Sequence, residues 1–149
     1  MSLIDKISES IKIAMREKDS IKLESLRAVK SSLLLSLTEK GKKGEISQSE
    51  EIKILQKLVK QRKDSAEIYK NQNRLELCDT ELNQARIIES YLPKQLSLSE
   101  LSIIIDKIII KLNASSMKDM GKVMGIASKE LSGKSDGKTI SEIVKKKLM

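Results

Sequence analysis

The chain has 149 residues, 39% hydrophobic and 34% charged, with a formal net charge of +8, a length that suits one domain or two small helical ones. Histidine, tryptophan and phenylalanine are absent and Cys78 is the single cysteine, which excludes imidazole catalysis, a thiolate zinc site and an internal disulfide. Only Tyr69 and Tyr91 are left to stack on bases, and core volume has to come from Leu, Ile, Val and Met.

Helical periodicity runs through the whole chain and strand signals are absent. A first helix over about 2–18 carries Leu3, Ile4, Ile7, Ile11, Ala14 and Met15 on one face. Asp19 reads as the N-cap of a second helix, about 20–40, with Leu23, Leu26, Leu33, Leu34 and Leu37 facing inward. Gly41-Lys42-Lys43-Gly44 ends it in a flexible loop. Ser47-Gln48-Ser49-Glu50 is a capping box that opens a long third helix, about 48–71, with Ile52, Leu55, Leu58, Val59, Ala66 and Tyr69 inward. Asn71-Gln72-Asn73 breaks it, and a fourth helix, about 74–91, stops before Pro93 because the residue preceding a proline avoids helical angles. Cys78 falls on its apolar face and reads as a small buried hydrophobe.

Ser97-Leu98-Ser99-Glu100 is a second capping box. It opens a fifth helix, about 98–112, whose six isoleucines spread so widely that neighbours are expected to cover it on several sides. Ser116 with Asp119 caps a sixth helix, about 117–131, and Gly133 stands just past its end. Asp136-Gly137 leads into a last helix, about 138–148. Ile104, Ile108 and Met124 are expected to pack against Ile140, Ile143 or Val144. The chain is thus expected to be all-α: a four-helix N-terminal part, 1–93, and a small three-helix C-terminal domain, 94–149. No run of about 18 apolar residues exists to span a membrane. The N-terminus enters an amphipathic pattern at once, with no basic region leading into an apolar core, so the expected location is cytoplasmic.

Three charged side chains interrupt the apolar stripes of the first part: Lys30, Arg62 and Glu89. A buried charge is tolerable only when paired. The economical reading is an internal ion-pair network of Lys30 and Arg62 with Glu89 and Glu81. The functional alternative is a carboxylate-binding site lined by Arg62.

The sixth helix carries the other unusual pattern. At 100° per residue, Met117, Met120, Val123, Met124, Ala127 and Leu131 share one face. Gly121 and Gly125 lie at its border, although an interior glycine costs a helix roughly 1 kcal/mol relative to alanine. Lys118, Lys122 and Lys129 lie just beyond them, and Ile126 projects away from the stripe. A bare backbone strip edged by ammonium groups admits a phosphate backbone or another helix. Charge leans the same way: residues 1–93 hold 18 basic and 15 acidic side chains, whereas residues 94–149 hold 11 and 6. The plain alternative is a solvated lysine surface.

Catalytic and cofactor motifs are missing. No phosphate-binding glycine loop occurs, Gly133-Lys134-Ser135 lacks the upstream glycine and the strand such a loop needs, and the acidic residues form no dense metal cluster. No cofactor and no metal are expected. Four segments then resemble the signatures of YqeY-like proteins of the GatB/YqeY family: Lys60 to Ser65, Tyr91 to Ser97, Met117 to Gly125 and Ser135 to Lys138. The resemblance covers essentially the whole chain in order. It implies an all-helical protein related to the tail of the GatB component of the tRNA-dependent amidotransferase, the part of that enzyme that meets tRNA. The family's glycine–lysine segment maps onto Lys118, Gly121, Lys122 and Gly125, and its second Gly-Lys loop onto Gly137 and Lys138. The resemblance also carries the activity class of carbon–nitrogen ligases with glutamine as amide donor, but it brings no catalytic residue, and none is expected here.

Three readings stand open. The leading one is a stand-alone module for tRNA or another structured RNA, or for a tRNA-handling protein complex, using Lys118, Lys122, Lys129 and Lys138 with the glycines. The second is a protein–protein adaptor that seats a partner helix on the Gly121/Gly125 face. The third is an enzyme with an unrecognised site.

Overall fold

The computed structural model of the chain describes residues 2–39 and 45–149. The expected Gly41–Gly44 loop lies outside the described residues. Among those described there is no strand, and the fold is all-α. None of their helices is long and apolar enough to cross a membrane. The chain divides into two compact units, Met1–Leu92 and Pro93–Met149, each with its own aliphatic core.

In the first unit, α1 (Leu3–Glu17) starts at a reciprocal cap: the Asp5 N–H donates to Ser2 Oγ at 3.2 Å and the Asp5 carboxylate accepts from the Ser2 N–H. It ends on Lys18 in the left-handed region, φ 57°. α2 (Ser20–Glu39) is capped by Asp19, whose Oδ1 accepts the Lys22 N–H at 3.1 Å. α3 (Gln48–Asn71) is capped by Ser47 as its sequence predicts. α4 (Leu75–Glu89) follows a three-residue reversal with Asn73 at φ 59°. α3 packs most extensively on α4, α1 on α2, and α2 on α4. Ile7 and Ala14, Leu26, Val29 and Leu33, Leu55, Leu58 and Val59, and Ala85 and Ile88 meet in the core. Cys78 is buried and free. Two longer-range hydrogen bonds pin the helices together: Gln84 Nε2 donates to Glu24 Oε2 at 3.1 Å, and the Tyr91 hydroxyl donates to Ser10 Oγ at 2.9 Å.

The expected ion-pair network is not what forms. Glu89 pairs with Lys63 at 2.7 Å, at the edge of the α3–α4 contact, rather than with Arg62. Arg62 is half-buried, yet it makes no ion pair among the described residues; its Nη1 donates to Leu58 O, one turn back, at a long 3.3 Å. Its Nε is sealed from solvent with no partner. Lys30 and Glu81 are likewise outside any network with it. The reason is positional. Lys63 stands one residue, about 100°, round α3 from Arg62. Its long stem reaches Glu89 while its ammonium stays in water, a cheaper arrangement than desolvating both charges.

In the second unit, α5 (Leu98–Leu112) is capped by Ser97, whose Oγ accepts the Glu100 N–H at 3.2 Å. A 3-10 turn, Met117–Asp119, precedes α6 (Met120–Glu130), and α7 (Gly137–Leu148) is capped by Asp136, whose Oδ1 accepts the Thr139 N–H at 3.2 Å. Three stripes close the core: Leu101, Ile105 and Ile108; Val123, Ala127 and Leu131; Ile140, Val144 and Leu148. Ile104, Met124 and Ile143 pack against it from the sides. The isoleucine-rich α5 is covered on one side only, for Ile103 and Ile110 are 57% and 77% exposed. The loop after α6 turns at Gly133, whose φ of 77° suits a residue without a side chain. It is stitched to the segment before α5 by the Leu96 N–H, which donates to Lys134 O at 3.0 Å, and by the Gln95 amide, which donates to Gly133 O. Lys147 pairs with Asp106 at 2.7 Å.

The unpartnered Arg62 yields a stability prediction opposite to that of a buried pair. A solvent-sealed donor without a partner costs roughly 1–3 kcal/mol. Arg62→Met, which keeps the aliphatic volume and removes the donor, should leave unfolding free energy unchanged or raise it by about 1 kcal/mol. Urea denaturation of the two proteins checks this, and a loss of stability would mean that Arg62 has a partner after all.

Candidate functional site

The geometry of the glycine–lysine face follows from what α6 buries. Val123, Ala127 and Leu131 recur at helical spacing and are almost completely withdrawn from solvent. That fixes the roll of the helix and sends the opposite side outward. Lys118, Gly121, Lys122, Gly125, Ser128, Lys129 and Ser132 are all exposed. Lys122, Gly125 and Lys129 follow one another at steps of three and four residues, so they form a single line along α6, and Lys118 stands in the 3-10 turn that precedes it. A Cβ added at Gly121 or Gly125 would meet nothing within 4 Å. The glycines are therefore not demanded by packing among the described residues. Gly137 and Lys138 begin α7, both exposed, and a Cβ at Gly137 would also stand in open space.

The start of this face is tied down locally. Ser116 Oγ accepts the Lys118 N–H at 3.4 Å, and Asp119 Oδ2 accepts the Ser115 N–H at 3.0 Å. The hydrogen bond from Ser115 holds the Asp119 carboxyl below its ordinary range, with a further one from Ser116 and the charges of Lys122 and Lys118 acting in the same direction. Asp119 thus also places one negative charge at the foot of an otherwise positive line.

Two details differ from the sequence reading. Met117 lies in the 3-10 turn and is exposed rather than on the buried stripe, because the tighter turn advances each residue by 120° instead of 100°. Ile126 does not project away; it is half-buried and packs against the second unit's core. At 100° per residue it falls 60° from Val123, within the apolar sector of the helix.

No cluster of three or more His, Cys, Asp or Glu stands where a metal ion could be held, among the described residues. What the face offers is cations on flexible stems beside uncovered backbone.

The family model described as Yqey-like protein matches residues 4–148. The chain belongs to that family. No curated protein matches the sequence.

Two measurements follow from this site. Gly125 is in the middle of α6, where alanine should stabilise the helix by about 1 kcal/mol, whereas Gly121, in its first turn, should gain less. Thermal unfolding of Gly125→Ala and Gly121→Ala checks the order; destabilisation by either would show that the space beside it is filled. The second concerns pH. A carboxyl whose folded pKa is depressed contributes stability above its unfolded pKa and loses it as pH falls through the folded value. The Ser115 amide resonance should therefore follow a titration whose midpoint lies below the ordinary aspartate value, and a midpoint at or above it would show that the Ser115 hydrogen bond does not hold the carboxylate.

Proposed function

We propose that the chain is a stand-alone binding module for structured RNA, with tRNA as the first candidate. The observation that carries the reading is the set of exposed Lys118, Lys122 and Lys129 beside Gly121 and Gly125, where an added Cβ would meet nothing within 4 Å among the described residues. Ammonium groups on flexible stems suit phosphate oxygens, and bare backbone lets the sugar–phosphate chain approach closely. The unit that bears the line has no arginine and no aromatic side chain. Contact should then be to phosphate and sugar rather than to base faces, which favours folded RNA over an unstructured strand. Lys138 at the start of α7 extends the set, with Gly137 preceding it. The family resemblance to the amidotransferase tail supports tRNA as the particular RNA.

The adaptor reading uses the same glycines but loses its apolar anchor, since Ile126 is turned into the core. A partner helix seated there would meet lysines and small residues. The amide-transfer activity class has no support in the described side chains and is not part of the proposal.

Salt separates the two readings. Removing one lysine–phosphate interaction should lower the slope of log affinity against log salt by about 0.7–0.9. Changing Lys118 and Lys122 together to Ala should weaken tRNA binding and flatten that slope, while thermal stability stays nearly unchanged because both side chains are exposed. Binding that resists salt and survives the double substitution would sink the RNA reading in favour of the adaptor.

A further inference from the structure

The lysines of the second unit are not spread evenly along its length. The start of α5 is tied to the loop between α6 and α7 by the Leu96 N–H, which donates to Lys134 O, and by the Gln95 amide, which donates to Gly133 O. α5 runs away from that loop for 15 residues, about 22 Å at 1.5 Å per residue. α6 starts from the 3-10 turn beyond its end and returns to the loop, and α7 then leaves the loop again. α7 packs against that same turn, and Lys147 in its last turn reaches Asp106, past the middle of α5. One end of the unit therefore gathers the C-termini of α5 and α7 and the start of α6. The half at this end, residues 106–125 and 143–148, carries seven lysines against Asp106 and Asp119. The half at the loop, residues 93–105 and 126–142, carries four lysines and four acidic side chains. The whole positive surplus of the unit thus stands at one end.

We propose that the RNA is held by this end of the unit, with Lys145 and Lys146 of α7 and Lys111 of α5 as phosphate-binding residues beside Lys118 and Lys122. The inference rests on the RNA reading above and extends its footprint from one helix to three. All five side chains are exposed. Packed helix axes lie about 8–10 Å apart, close to one Debye length at physiological salt, so the fields of lysines on adjacent helices add. The carbonyl ends of α5 and α7 lie under the cluster and offset its self-repulsion. Asp106 subtracts little, because Lys147 already neutralises it at 2.7 Å. A folded RNA presents phosphates across a broad surface and can meet cations on three helices at once, whereas a short acidic segment would meet the share of one.

The test is fluorescence anisotropy of labelled tRNA titrated with the full-length protein across a salt series. Lys145→Ala with Lys146→Ala should lower the slope of log affinity against log salt by about 1.4–1.8, the loss of two phosphate contacts, and Lys111→Ala should lower it by about 0.7–0.9. Lys94→Ala with Lys134→Ala removes the same charge as the first pair from the neutral half and should leave the slope nearly unchanged. Lys145→Arg with Lys146→Arg should bind as the wild type does. Circular dichroism at the assay temperature should show every variant helical. Equal losses from the two alanine pairs would overturn the proposal, because net charge alone would then account for binding. So would wild-type affinity in the Lys145/Lys146 alanine pair when Lys118→Ala with Lys122→Ala has lost it, which would confine the site to the start of α6. Polyglutamate that displaces tRNA as well as unlabelled tRNA does, at matched charge, would also overturn it and make this end a seat for an acidic protein. A wild type that fails to bind tRNA at low salt would take the RNA reading down with it.

Discussion

The burial of Val123, Ala127 and Leu131 is the interaction on which the proposed function depends. These three side chains set the rotation of α6 about its own axis. With that rotation fixed, the glycines and lysines have no choice but to face water. Without aromatic residues of the larger kinds, each unit fills its core with aliphatic stripes from several helices. Interiors packed this way tolerate little rotation of any one helix, because a turn by one residue would replace Val123, Ala127 and Leu131 with Lys122, Ile126 and Glu130 or with Met124, Ser128 and Ser132. The positive line is therefore held by the core behind it, not by contacts of its own.

Most of the fold was legible because its signals are local. Ser47, Ser97 and Asp136 each cap a helix at or within one residue of the predicted start, and Pro93 and Gly133 punctuate the chain where their backbone preferences require. The cap at Ser2 and Asp5 was missed, although the serine followed three residues later by an acid was there to be read. Periodicity located the stripes but not their coverage. Leu34 and Met15 belong to apolar faces by pattern and are nonetheless exposed, as are Ile103 and Ile110. How far a neighbouring helix reaches round a stripe depends on where it crosses, and that is not written in the stripe itself.

Side-chain pairing was the least legible level. A helical wheel places Arg62, Lys63 and Glu89 to within one residue's rotation, while the choice between two cations for one carboxylate is settled by stem length and desolvation. The glycine–lysine line is a different case. Its exposure was readable from spacing alone, whereas the emptiness beside Gly121 and Gly125 is a property of everything that does not pack there, and three dimensions were needed to see it.

The hydrogen bond from Tyr91 to Ser10 has a consequence for the order in which the protein is made. It joins the first helix to the last residues of the N-terminal unit, and Ile88 completes the core to which α1 and α2 contribute Ile7, Ala14, Leu26, Val29 and Leu33. At ~5–20 residues per second, the 55 residues from Leu34 through Ile88 take roughly 3–11 s to be synthesised. For that interval the α1–α2 hairpin exists without α4, with Leu26, Val29 and Leu33 lacking part of their cover.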